Sequence, residues 1–184
     1  MAEKHTNAAR PMLNIMPRPG VWAAYAACIL AMLYAAVSFY WAAGGVVGLS
    51  TVGGELERLA RARDPQFIAM VWGTGVLKAA CGLLALALVH SWGRVFPRWL
   101  LLLAAWGGAV LLTGYGGLLV VVQSLVVAGV IETSGTVDWR ALWGHLLLWD
   151  LWFLLWGVCL GVAVLYYQRW SRKSVPGKDA RAPS

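Results

Sequence analysis

Two ionisable residues lie inside long apolar stretches of the sequence, where a charge is costly. Lys78 stands in GVLKAACG, and Asp150 stands in HLLLWDLWF close to His145 and Trp149. A charged side chain at the centre of a membrane helix costs about 2.5 to 3.5 kcal/mol on insertion scales, so such residues mark a binding site or a structural ion pair. We therefore predict a binding site at Lys78, Asp150, His145 and Trp149.

The depths of the two charges predict that they meet. Lys78 stands 12 residues before His90, and Asp150 stands 16 residues before Tyr166. At 1.5 Å per helical residue they lie about 18 Å and about 24 Å from the inner boundary, a difference of about one lysine side chain. We expect Lys78 to reach Asp150 in the outer half of the protein, with His145 nearby.

The chemistry of this cluster has two interpretations, which the sequence leaves open. A structural ion pair would fix one arrangement of the helices without adding much stability. A polar site open to the outer face would bind an anion or relay a proton.

Signals for an enzyme are weak. The sequence has no HExxH, GxSxG, P-loop or CxxC motif. On an α-helix, residues five apart such as His145 and Asp150 point to different sides, which argues against a catalytic dyad. We identify no catalytic residue, no metal ligand set and no cofactor, and we interpret Cys28, Cys81 and Cys159 as buried small residues.

The composition excludes whole classes of protein. The 184 residues are 60% hydrophobic and 12% charged, whereas soluble domains carry about 25% charged residues. This excludes a soluble enzyme, a secreted disulfide scaffold and a disordered chain. The net charge of +7 comes from basic residues that flank the apolar stretches, so the predicted partner is the lipid bilayer and not nucleic acid.

The apolar windows predict an all-α, polytopic membrane protein. Windows long enough to cross a bilayer lie at about residues 21–43, 67–90, 99–124 and 142–167. They form a transmembrane domain over residues 21–168, between an N-terminal tail of residues 1–20 and a basic C-terminal tail of residues 169–184. GELERLARARD, between the first two windows, predicts a short amphipathic outer helix, either an interfacial staple or a lid.

The third window is longer than a bilayer needs. From Trp99 to Ile131 the chain carries 33 residues without a charge, about 50 Å of helix against about 30 Å of hydrocarbon. We expect this segment to bend, tilt or project, and its glycines and the pair Gln123 and Ser124 offer places for a kink or an exit into the interface.

Most Lys and Arg residues fall on the side of the two termini. The arginines of the opposite side are interspersed with acidic residues: Arg58, Arg61, Arg63 and Arg140. The positive-inside rule then places both termini in the cytoplasm.

Small residues predict how the helices pack. An alanine recurs every fourth residue of the first helix: Ala23, Ala27, Ala31 and Ala35. In the fourth helix, Gly157 and Gly161 form a GxxxG motif. Such stripes let helix backbones approach closely in lipid. They favour a compact bundle and leave open a homo-oligomer or another membrane-protein partner.

Three stretches of the chain resemble a family of small bacterial four-span membrane proteins, domain of unknown function 3995. They are FYWAAGGVVGL, RDPQFIAMVWGTGVLKAACGLLALAL and HLLLWDLWFLLWG. The resemblance implies a bacterial inner-membrane protein of unassigned activity, and it supplies no catalytic or binding residue.

Together these features predict an accessory or small-molecule-binding membrane protein without enzymatic activity. The alternative is a small transporter or channel-like protein for an anion or a proton, and a membrane-embedded enzyme comes third.

Overall fold

The structure, a computed structural model, describes residues 18–132 and 136–173, in which all regular structure is helical. The α-helices of these residues are α1 (Arg18–Ala42), α2 (Gly54–Ala62), α3 (Pro65–Ala87), α4 (Arg98–Val127), α5 (Trp139–Gly144) and α6 (Asp150–Lys173). A π-helical turn, His145–Trp149, joins α5 to α6, and short 3-10 turns cover Leu49–Thr51 and Ser91–Val95. Most of the predicted N- and C-terminal tails lies outside the described residues.

Four helical segments are long and apolar enough to cross a membrane: Pro19–Ala42, Pro65–Ala87, Arg98–Val127 and Trp139–Ser171. The last one combines α5, the π-turn and α6. The predicted fold class, an all-α protein with four membrane-spanning helices, is therefore confirmed. The predicted outer helix is present as α2, where Glu57 pairs with Arg61 at 2.7 Å.

The helices pack in the order α3, α1, α6, α4, with few contacts between α3 and α4. In the most apolar windows of α1 and of the α5–α6 span, 39% of the residues are buried, against 17% in α3 and 6% in α4. The core consequently lies between α1 and α6, and its largest fully buried apolar side chains are Trp156, Leu160 and Val164.

Small residues make the close contacts between helices, as the sequence predicts. Ala27, Ala31 and Ala35 of α1 are buried, and a Cβ on Gly82 of α3 would lie 3.1 Å from the Ala31 side chain. A Cβ on Gly116 of α4 would lie 2.6 Å from the backbone nitrogen of Leu154. Both helix pairs therefore depend on residues without bulky side chains.

The long third window forms one helix. α4 runs through the predicted kink or exit at residues 123–124 and ends at Val127, and the chain turns at Gly129, whose φ is 71°. Its 30 residues make about 45 Å of helix, longer than the hydrocarbon layer. The predicted exit is therefore wrong by a few residues, and Gln123 has a different role, described below.

We call the end of the bundle that carries α2 and α5 the α2 end. The opposite end carries residues 88–97, the start of α1 and the last turns of α6, and we call it the terminal end.

Candidate functional site

A cavity of about 200 Å³ opens at the α2 end, between α1, α3 and α6. Aromatic side chains form much of its wall: Tyr34, Trp41, Phe67, Tyr115, Trp149 and Phe153. Its polar lining is small: Ser38, Thr74, Lys78, His145 and Asp150. The four predicted site residues therefore lie around one cavity, and their role in binding stays a prediction.

The ammonium group of Lys78 is held by α1. Its Nζ donates a hydrogen bond to Ser38 Oγ at 2.8 Å and lies 4.4 Å from the centre of the Tyr34 ring. Among the residues that the structure describes, Lys78 forms no ion pair with a carboxylate. The predicted contact between Lys78 and Asp150 is therefore wrong, because the partners of the lysine are Ser38 and Tyr34.

Asp150 has partners of its own. The residue is 1% exposed, and its Oδ2 accepts a hydrogen bond from Gln123 Nε2 at 2.7 Å and lies 3.2 Å from His145 Nδ1. These partners come from α4 and from the π-turn just before Asp150. The carboxyl group thus belongs to the interface between α4 and α6.

The prediction that His145 and Asp150 point apart is also wrong. The π-turn His145–Trp149 closes hydrogen bonds between residues five apart, so it brings residues of this spacing to one side of the helix. A π-turn within a helix is rare, and residues five apart point to different sides only where the helix is α-helical.

His145 neutralises Asp150. Its Nδ1 faces the Asp150 carboxyl group, and its Nε2 lies 3.1 Å from the carbonyl oxygen of Val52. Both contacts need a proton, because a carbonyl oxygen and a carboxylate oxygen only accept hydrogen bonds. The pair is either an imidazolium with a carboxylate or a neutral imidazole with a carboxylic acid, and it carries no net charge in both cases.

Trp149 shapes the cavity without offering it a free polar group. It is 5% exposed, its Nε1 donates to Thr51 Oγ1 at 3.1 Å, and its ring stacks on Tyr34 with centroids 5.8 Å apart. Two further tryptophans of α6 serve packing: Trp152 donates its N–H to the Leu30 carbonyl, and Trp156 is buried in the core.

The amphipathic helix α2 forms the rim of the cavity through Leu56. Gly53 before it, its first residue Gly54 and Arg63 after it have positive φ angles, so the chain turns sharply at both ends of α2. Arg63 Nη1 donates to the Trp41 carbonyl oxygen at 3.2 Å. This bond fastens the end of α2 to the end of α1, as expected of a staple, while the position of Leu56 also fits a lid.

Sequence reasoning missed three residues that hold the cluster: Tyr34, Ser38 and Gln123. A polar residue within an apolar helix was the available signal for Ser38 and Gln123. Within residues 18–132 and 136–173, no three His, Cys, Asp or Glu side chains lie close enough together to hold a metal ion.

Most of the helical bundle matches a known protein family. Residues 31–160 match the family described as "Protein of unknown function (DUF3995)". The chain belongs to the DUF3995 family. The resemblance noted from the sequence is thus confirmed, and the DUF3995 segment contains all the residues that line the cavity. No curated protein and no solved structure matches the chain.

Proposed function

We propose that this DUF3995 protein binds a small anionic molecule in the cavity at the α2 end, with Lys78 as the residue that receives the negative charge. One observation carries the proposal: Asp150 is hydrogen-bonded with Gln123 and His145, while Lys78 meets only a hydroxyl group and a ring. A lysine in a largely apolar cavity is stabilised by an anion that comes to it.

The cavity limits the class of ligand. Its volume of about 200 Å³ is below the roughly 300 to 1,000 Å³ of sites for drug-sized molecules. Aromatic rings line most of it, so the ligand needs an apolar body beside its charged group. A short aliphatic or aromatic carboxylate has this chemistry.

The distribution of Lys and Arg supports one orientation of the protein in the membrane, and with it one side for the site. We place the protein in a bacterial inner membrane with both termini in the cytoplasm, so that the α2 end faces outward. Reporter fusions at the C-terminus test this orientation. A C-terminus on the outer side would move the cavity to the cytoplasmic face without changing its chemistry.

Transport and catalysis receive less support than binding. From the cavity toward the terminal end, the described core between α1 and α6 consists of apolar residues such as Ala27, Leu160 and Val164, which give an ion no polar path. The two ring nitrogens of His145 are both engaged, so neither is free to serve as a general base.

Thermal unfolding of the purified protein in lipid nanodiscs tests the binding. Benzoate and butanoate should raise the unfolding temperature in a saturable way, and the neutral amides benzamide and butanamide should not. Lys78→Met should weaken the binding of the carboxylates at least about tenfold, because a hydrogen bond to a charged group is lost.

Leu77→Met is the matched control, since Leu77 is the neighbouring residue and is 63% exposed. It should respond to the carboxylates as the unmodified protein does. Equal stabilisation by the carboxylates and by their amides, or an unchanged response of Lys78→Met, would show that Lys78 does not bind an anion.

A further inference from the structure

The terminal end of the bundle carries a second cavity, of about 450 Å³, between α3 and α4. We call it the terminal groove. Its lining is apolar and includes Ala80 and Ala87 of α3, Ala104 of α4, and Trp92 and Phe96 of the connecting segment. The groove exists because α3 and α4 pack against α1 and α6 and make few contacts with each other.

The terminal groove runs along the helix axis. Ala80 and Ala87 both line it, and they lie two turns apart on one face of α3, about 10 Å along the axis. In a membrane this direction is that of the lipid acyl chains. The groove therefore has the orientation and the apolar surface of a site for one acyl chain.

The segment that connects α3 to α4 closes one end of the groove. Gly93 is packed on the Ala87 carbonyl oxygen so closely that a Cβ could not be accommodated. This contact folds the 3-10 turn Ser91–Val95 back onto the end of α3 and brings Trp92 and Phe96 into the lining. Trp92 and Trp99 are both exposed, as is typical of rings at the boundary of the hydrocarbon layer.

Two arginines flank this closed end. Arg94 stands between Trp92 and Phe96, and Arg98 stands two residues before Leu100, which also lines the groove. Both arginines are exposed, and neither side chain forms a hydrogen bond or an ion pair with a residue that the structure describes. The segment from residue 88 to residue 98 contains no acidic residue.

The arginines around α2 show the contrast. Arg58 pairs with Glu55, Arg61 pairs with Glu57, and Arg63 donates to a backbone carbonyl. Most of the positive charge at the α2 end thus has partners within the protein. At the groove, Arg94 and Arg98 lie where the lipid headgroups are expected, and their segment contains no acidic partner.

We infer that the terminal groove binds an anionic phospholipid, with one acyl chain between α3 and α4 and the phosphate group at Arg94 and Arg98. The apolar lining packs against the acyl chain, and the guanidinium groups form charge-assisted hydrogen bonds with the phosphate. A second copy of the protein or a partner helix would use the apolar lining but would leave the two arginines without an anion. The inference is independent of the ligand proposed for Lys78.

Native mass spectrometry tests this inference directly. The protein in detergent is mixed with phosphatidylglycerol and phosphatidylcholine of identical acyl chains, and the retained lipids are counted. The unmodified protein should retain phosphatidylglycerol preferentially, and millimolar inorganic phosphate should not displace it. Displacement by inorganic phosphate would show a simple anion site and overturn the lipid assignment.

Two variants separate the charge from the groove. The double variant Arg94→Gln/Arg98→Gln should lose the preference, by on the order of fivefold for each arginine removed. Arg140→Gln, which removes an exposed arginine at the α2 end, should keep it. Ala104→Trp fills the groove and should reduce retention of both lipids, while Leu103→Trp, at the neighbouring position, which is 64% exposed, should not.

Equal retention of the two lipids by the unmodified protein would overturn the inference. So would unchanged retention in Ala104→Trp. A dimer of the unmodified protein that dissociates in Ala104→Trp would assign the groove to a second copy of the chain. Circular dichroism of each variant verifies that it is folded.

Discussion

The two halves of the bundle treat their single intramembrane charges differently. In the half formed by α4 and α6, Asp150 is almost fully buried, accepts a hydrogen bond from Gln123 and is hydrogen-bonded with His145. In the half formed by α1 and α3, Lys78 has one hydroxyl group and one aromatic face. The two charged groups line the same cavity without forming an ion pair with each other.

This difference separates a structural charge from one available to a ligand. A carboxyl group whose donors come from its own helix pair stabilises that pair, and removing it leaves buried donors without an acceptor. Removing an ammonium group that faces a cavity costs the protein little stability, because few protein groups depend on it. The next predictions test whether the two halves differ in this way.

The largest expected effect is the loss of Asp150. Asp150→Ala removes a buried carboxyl group together with its hydrogen bonds to Gln123 Nε2 and His145 Nδ1, and it should lower the free energy of unfolding by about 3 to 5 kcal/mol. Lys78→Met should cost about 1 kcal/mol or less, since the hydrogen bond to Ser38 is lost together with the cost of holding a charge in a largely apolar cavity. Unfolding titrations in mixed micelles measure both values, and equal losses would contradict the proposed division.

The next effect concerns the contact that holds α4 against α6 beside Asp150. A Cβ on Gly116 would lie 2.7 Å from the Asp150 carbonyl oxygen, so Gly116→Ala must push the two helices apart and should cost about 1 to 3 kcal/mol. Gly107 lies on the same helix, and none of the described residues would lie within 4 Å of its Cβ. Gly107→Ala should therefore be neutral or stabilising in the same titration.

Hydropathy and length were enough to predict the architecture. Four apolar helices and the outer helix α2 follow from composition and periodicity, because each of these signals is local in the sequence. The alanines that line α1 were also recognisable, since a repeat of four residues defines one face of a helix.

The details of the site depend on non-local geometry. The π-turn brings His145 onto Asp150, although α-helical spacing predicts that they point apart. Gln123 and Asp150 meet because of the register between α4 and α6, which Gly116 helps to set. The pairing of Lys78 with Asp150 was based on a difference in depth that one lysine side chain could span, but depth does not specify which neighbours hold each side chain.

A double-mutant cycle measures these contacts at a smaller scale. The coupling energy between His145→Phe and Asp150→Asn should be about 0.5 to 3 kcal/mol, the range for residues in direct contact. The coupling between Lys78→Met and Asp150→Asn should be below about 0.5 kcal/mol, because the two side chains do not touch. The exchange Lys78→Asp/Asp150→Lys should accordingly fail to restore stability, and a restored protein would reinstate a direct ion pair.

The smallest effect is expected on α2, where the charges lie in water. Arg58 donates to Glu55 and thereby lowers the pKa of that carboxyl group, but both side chains are exposed, and solvent screens the pair. Glu55→Gln should leave the unfolding midpoint at pH 7 nearly unchanged.

The sign of the pH dependence follows from the lowered pKa of Glu55. The contribution of the pair is complete above the usual pKa of a glutamate and disappears as the pH falls through the lowered value. Any difference between the unmodified protein and Glu55→Gln should therefore be seen at neutral pH and vanish in acid. A large difference at pH 7 that persists in 1 M salt would contradict this expectation, since simple surface pairing is screened at that ionic strength.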